Sequence, residues 1–93
     1  MKLRLTPRAR QDRLRIFDYL VAQSESGASS VMSALQRTFE VIEQFPEGGR
    51  RTDGRPIRCL TVSSYPYVVF YRVRVNMIEV IHIRHTSRRP WAG

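Results

Sequence analysis

The sequence predicts an α+β fold: a hairpin of two helices packed on one face of an antiparallel sheet of about four strands, in the order β-α-α-β-β-β. Three observations predict it. In the first half, apolar residues recur at three- and four-residue intervals over two stretches. In the second half the runs are β-branched and aromatic, as in "IRCLTVSS", "YVVFYRVRV" and "MIEVIHIR". Between them stand a Gly/Ser-rich turn, "SESGASS", and a helix stop, "FPEGG". At 93 residues, the chain (1–93) is read as a single domain.

"KLRL" (Lys2–Leu5) alternates polar and apolar residues and reads as a short strand. Thr6-Pro7 follows as an N-cap with Pro at the first helical position, where a missing N–H costs nothing. The first helix is expected from Pro7 to Ser24. Ala9, Ile16 and Leu20 form its apolar stripe, with Phe17 and Val21 beside it. The turn 24–30 leaves Ser26 as a candidate cap for the second helix, expected from Ala28 to Phe45. Its apolar face is Ala28, Val31, Met32, Leu35, Phe39, Ile42 and Phe45. Pro46 cannot continue it.

"RRTDGRP" (Arg50–Pro56) reads as a charged loop. The strand Ile57–Ser64 turns Ile57, Cys59 and Thr61 to one side and Arg58, Leu60 and Val62 to the other. Tyr65-Pro66 turns the chain. The next strand is apolar on both faces in its first half, which marks it as central and covered on both sides. Val75-Asn76 makes a tight hairpin, with Asn suited to a left-handed conformation, and Met77–Arg84 is the partner strand. Two helices cover one sheet face. The other is expected to present an apolar groove, filled by the C-terminal tail, another copy or a partner segment, of which the partner is preferred.

Net charge is +8 and uneven: +4 over residues 1–24, −3 over 25–47 and +7 over 48–93. Such a field attracts nucleic acid, an acidic protein, or an enzyme bound to nucleic acid. Almost all the basic residues are Arg, which forks onto phosphate or carboxylate and stacks on bases; a GC-rich coding sequence would give the same bias. No apolar window is long enough for a membrane helix, and "MKLRLTPRAR" lacks the apolar core of a signal peptide. The lone Cys59 can make no internal disulfide and reads as a small core residue. A cytoplasmic protein without metal or cofactor is expected.

Four segments together, "LTPRARQDRLRIFDYL", "FPEGGRR", "YPYVVFYRV" and "IEVIHIRHTSRRPW", resemble the small toxins of type II toxin–antitoxin modules, the RelE/ParE superfamily, of the ParE-like plasmid stabilisation type. The resemblance spans residues 3–91 and rests on the order and spacing of all four. It implies the same helix hairpin on a sheet. It also implies an antitoxin partner whose C-terminal part wraps the toxin. The chain departs from the family at Arg13, since Leu often follows directly after the residue that here is Asp12.

The superfamily implies two activities. RelE-like members cut messenger RNA on the ribosome; ParE-like members bind DNA gyrase and stabilise its DNA breaks. Metal-free RNA cleavage needs a base, a cation for the phosphorane and an acid. His85 and Arg88 are the candidates should this be a ribonuclease. His82, three residues from His85, points the other way along a strand and reads as a sheet-packing residue. The strand start "YPYVV" carries no charge, and Trp91 stands where a proton-transfer group is wanted, although indole neither gives nor takes a proton at neutral pH. Tyr65 and Tyr67 read as core. The expected function is therefore ParE-like gyrase binding, with no catalytic residues and with Arg84, His85, Arg88, Arg89 and Trp91 meeting the target. Arg58, Leu60, Val68 and Phe70 are expected to meet the antitoxin. For Arg58, pairing with Glu79 across the sheet and facing a partner are both open. The alternatives are a ribosome-dependent ribonuclease and a plain basic nucleic-acid-binding module.

Overall fold

The computed structural model describes residues 1–52 and 54–87. The elements are β1 (Lys2–Leu5), α1 (Pro7–Val21), α2 (Glu25–Gln44), a 3-10 turn (Pro46–Gly48), β2 (Arg50–Arg51), β3 (Arg58–Thr61), β4 (Tyr67–Val73) and β5 (Met77–His85). Two helices packed on a sheet is the predicted class. The sheet, however, has five strands and is mixed, in the order β1-β5-β4-β3-β2. β1 runs parallel to β5, with Leu5 opposite Val80; the other pairs are antiparallel. The extra strand, β2, lies in what reads as a charged loop. Two arginines show no alternation, and β2 exists because Arg50 and Arg51 find Cys59 and Arg58 across a backbone ladder.

The Thr6 hydroxyl caps α1 by accepting the Ala9 N–H at 3.2 Å. Ser24, rather than Ser26, caps α2 by accepting the Gly27 N–H at 3.1 Å. This ends α1 three residues sooner and starts α2 three residues sooner than the sequence pattern implies. Asn76 does not take a left-handed conformation; positive φ falls on Ser64 and Gly54.

The main core lies between the helices and one sheet face. Ala9, Val31, Leu35, Phe39 and Ile42 meet Val62, Val69, Tyr71, Ile78 and Val80, with Ile16, Leu20 and Leu60 packed at its margin. The stripe predicted for α1 therefore faces inward. Arg13 is half-buried and Leu14 is 52% exposed, so the departure at Arg13 turns a leucine to solvent. Phe45, expected on the buried face of α2, is 64% exposed, because its φ of −132° takes it off the helix.

A second cluster, Cys59, Val68 and Phe70 with Ile57 and Ile81, occupies the opposite sheet face. Alternation along β3 thus falls as predicted. The face is not an open groove at its centre. Val68 and Phe70 are only 5% and 7% exposed.

Candidate functional site

The site is built around the far half of β5. β1 leaves β5 at Val80, and the start of α1 takes over as its neighbour. The Thr6 N–H donates to the Val80 carbonyl at 2.9 Å, and its hydroxyl reaches the Ile81 carbonyl at 3.4 Å. Asp12, nearly two turns further on, accepts the Ile83 N–H at 3.1 Å. Phe70 lies opposite His82 while Tyr71 lies opposite Val80, so Ile81 is the extra residue of a β-bulge. The bulge turns His82 so that its Nδ1 stands 2.7 Å from Asp12 Oδ2 while its ring stacks on Phe70, centroids 5.8 Å apart. An ionised carboxylate only accepts, so Nδ1 carries the proton. Arg8 Nε stands 3.7 Å from the other Asp12 oxygen.

His85 lies beyond the bulge on the helix-facing side. Its ring meets Tyr67 edge-on at 5.4 Å, and its Nδ1 accepts the Ser87 N–H at 3.2 Å. His82 and His85 are therefore held by different neighbours on different faces, as their spacing implies. Arg84 faces the opposite side, its guanidinium 5.7 Å from the Phe70 ring centroid and its Nη1 donating to the His85 carbonyl at 3.0 Å. Its Nε is buried and finds no hydrogen-bond partner among the described residues.

The sheet face that carries Phe70 is basic around its apolar centre. Lys2 and Arg4 alternate with the core-facing Leu3 and Leu5 on β1. Arg50 sits opposite Cys59 at the other edge. Arg72 and Arg74 both hold Glu79, at 2.8 and 3.0 Å. These bonds, Arg72's first, hold the Glu79 carboxyl below its usual range. Glu79 is the one carboxylate that the strands bring to this face among the described residues; Asp12, Asp18, Glu25, Glu40, Glu43 and Glu47 belong to the helices and the turn after them, and of these Asp12 reaches His82 at the end of β5.

A second cluster ties that turn to the sheet. The Tyr71 hydroxyl donates to the Pro46 carbonyl at 2.8 Å and accepts the Gly49 N–H at 2.9 Å. Burial pushes the Tyr71 phenol above its usual value, against the opposing Gly49 hydrogen bond. Arg58 bonds the Glu47 and Gly49 carbonyls, both at 3.0 Å, and the Glu47 carboxylate at 2.7 Å. Its carboxylate partner is therefore Glu47, not Glu79.

The family model described as the ParE toxin of the type II toxin-antitoxin system, parDE, matches residues 3–90 of this chain. The chain belongs to the ParE toxin family. A curated relative, Toxin RelE3 of Caulobacter vibrioides, is 31% identical over 87 residues, covering 91% of this chain and 94% of its own. A solved structure titled "Chromosomal ParDE TA system from P. aeruginosa" superposes with a TM-score of 0.84 at 22% identity, over 94% of this chain and 97% of the other. That likeness shows the fold. Membership implies an antitoxin partner.

Within this ParE fold the expected site residues fall in three places. Arg84 and His85 are neighbours on β5 but face opposite ways; Arg88, Arg89 and Trp91 lie outside the described residues. Arg58 and Leu60 sit on the helix-facing side of β3. Val68 and Phe70 are buried on the other side. These four share no one surface. Tyr67 is buried and Tyr65 packs against the core, as expected. No group of His, Cys, Asp or Glu among the described residues is arranged to hold a metal. No helix of the described chain is long and apolar enough to cross a membrane. The Asp12–His82 pair and the Tyr71–Gly49 contact were not legible beforehand. Asp12 reads as one of many surface charges on α1, and a glycine carries no sign of what it leaves room for.

Proposed function

We propose that this chain is the toxin of a ParE–antitoxin pair and that it acts by binding DNA gyrase on its DNA rather than by chemistry of its own. The observation that carries the reading is the basic sheet face. Lys2, Arg4, Arg50, Arg72, Arg74 and Arg84 surround a small apolar centre with Glu79 as their counter-charge. A face with so many guanidinium groups suits a phosphate-bearing or acidic target. Arg84 lies on that face, and the chain that follows it carries His85, Arg88, Arg89 and Trp91, whose cationic and aromatic groups together suit phosphate and base contact. The histidines support a binder: His82 is committed to Asp12, and His85 is turned to the other side of the strand.

The relative named RelE3 favours a second reading, ribosome-dependent RNA cleavage, with His85 and Arg88 as its residues. A supercoiling assay separates the two. The purified chain is expected to inhibit gyrase and to accumulate cleaved DNA while leaving ribosome-bound message whole. Unimpeded supercoiling with cut message would transfer the assignment to the RelE-like activity.

A further inference from the structure

β1 is an edge strand, and the corner it makes with α1 holds a pocket of about 350 Å³. Leu5, Pro7 and Met77 form its apolar part; Arg4, Arg10 and Glu79 stand around them. Two different constraints bring the arginines together. Alternation along β1 sends Leu3 and Leu5 to the core and Arg4 to the other face, directly opposite Glu79 in the parallel ladder. Arg10 comes from α1, and its Nη1 donates to the Leu5 carbonyl at 3.0 Å, which draws the guanidinium back to the corner.

Neither arginine has an acid of its own. Glu79 is the one carboxylate lining the pocket, and its Oε1 already takes Arg72 at 2.8 Å and Arg74 at 3.0 Å. Among the described residues no carboxylate comes within ion-pair distance of Arg4 or Arg10, whereas Arg8, between them in the chain, has Asp12. Four guanidinium groups thus gather about one carboxylate, and the pocket opens beside the two it does not serve. A guanidinium forks onto phosphate or carboxylate alike. The pattern selects phosphate. Strands about 4.8 Å apart set Arg4 roughly 10 Å from Arg72, with Glu79 between them, so the cations follow a line. A single acidic side chain meets one point of that line; a duplex brings a charge for about every 1.7 Å of its axis.

We propose that this corner pocket takes a backbone phosphate of the DNA that gyrase holds, with Arg4 and Arg10 as its fork, so that the toxin touches the nucleic acid as well as the enzyme. This rests on the gyrase reading above and deepens it. Side chains make the site, because the start of α1 is closed by its own cap: the Thr6 hydroxyl accepts the Ala9 N–H, and Pro7 has no N–H to offer. The same hydroxyl reaches the Ile81 carbonyl at 3.4 Å, so it is not spare to read the 2′-hydroxyl by which RNA differs from DNA.

The test follows the anisotropy of a short fluorescein-labelled DNA duplex titrated with the purified chain over a range of salt. Arg4→Gln and Arg10→Gln should each weaken binding roughly tenfold. The double variant should lower the salt slope by about one, the loss of one phosphate contact. Arg37→Gln removes the same charge beside β3, away from the pocket, and should change affinity by less than about twofold. All three side chains are exposed, so circular dichroism and the unfolding midpoint should stay those of the parent. Capture of gyrase by the chain without DNA is scored alongside. Gyrase captured, with the duplex unbound or bound equally by parent and variants, would overturn this proposal and leave the gyrase reading standing. An equal loss from Arg37→Gln would reduce the effect to overall charge and overturn it too. An RNA duplex bound as tightly as the DNA would overturn the choice of DNA. No capture of gyrase would overturn the gyrase reading and this proposal with it.

Discussion

Asp12 and His82 stand seventy residues apart in the chain and 2.7 Å apart in the fold. Their side chains are 11% and 8% exposed, and Asp12 also takes the Ile83 N–H that β1 is too short to reach. One carboxylate thus closes the end of the sheet, orients the histidine and anchors α1. Replacing Asp12 with Ala leaves a buried N–H and an imidazole without their acceptor. The expected cost is about 2–3 kcal/mol, with Asp12→Asn losing less because the amide oxygen still accepts. Urea unfolding of the two variants checks this; equal stability of Asp12→Ala and the parent would show that the pair holds nothing.

Gly49 has a room restriction rather than a torsional one, its φ being an ordinary −72°. A Cβ there would overlap the Tyr71 hydroxyl and come within 2.9 Å of two ring atoms of a fully buried side chain. Gly49→Ala should therefore destabilise the fold by roughly 1–3 kcal/mol. Tyr71→Phe removes the closest overlapping atom, so the double variant should lose less than the sum of the singles. Additive losses in a double-mutant cycle would place the strain elsewhere.

Stability should respond to pH at both ends of the scale. The Glu79 carboxyl lies below its ordinary value in the folded chain, chiefly through its hydrogen bond from Arg72 and then that from Arg74. Its contribution is thus present above about pH 4.5 and lost as pH falls through the lower folded value. Arg72 and Arg74 are 40% and 53% exposed, so the loss should stay under about 1 kcal/mol and vanish in Glu79→Gln. Tyr71 is shifted up by burial. The folded chain therefore keeps the phenolic proton more tightly than the unfolded one, and stability declines as pH rises past about 10. Tyr71→Phe should be less stable at neutral pH but flatter above that point, which denaturation at pH 8 and pH 11 would show.

Neutralising the basic sheet face should impair function and spare the fold. Arg4 and Arg50 are exposed and stand at opposite edges of that face. Arg4→Glu and Arg50→Glu together should relieve growth arrest by an order of magnitude in plating efficiency or more while thermal stability moves by less than about 0.5 kcal/mol per site. Undiminished arrest with both changes would direct attention to the helix side.

Much of this was legible in the sequence where periodicity carried it. The three- and four-residue spacing from Ala28 to Ile42 marks the buried face of α2, and the doubly apolar start of β4 marks the central strand. What stayed hidden depends on partners rather than on the residues themselves. β1 alternates the same way whether its neighbour is parallel or antiparallel. Arg50 and Arg51 became a strand through backbone pairing that side chains do not encode. For Arg58 the open readings were Glu79 across the sheet or a partner, and the 3-10 turn after α2 brought Glu47 to it instead. The basic character of the second half was readable as charge alone. The division of the sheet face into a basic rim and a covered apolar centre required the register of β3, β4 and β5.

Induced expression of this chain alone in a bacterial host, scored for the DNA-damage response and for message cuts on ribosomes, tests the central claim most directly. Growth arrest with an SOS response and intact messages is the predicted result. Arrest with codon-phased cleavage of messages and no DNA damage would contradict it and make His85 and Arg88 the residues to replace next.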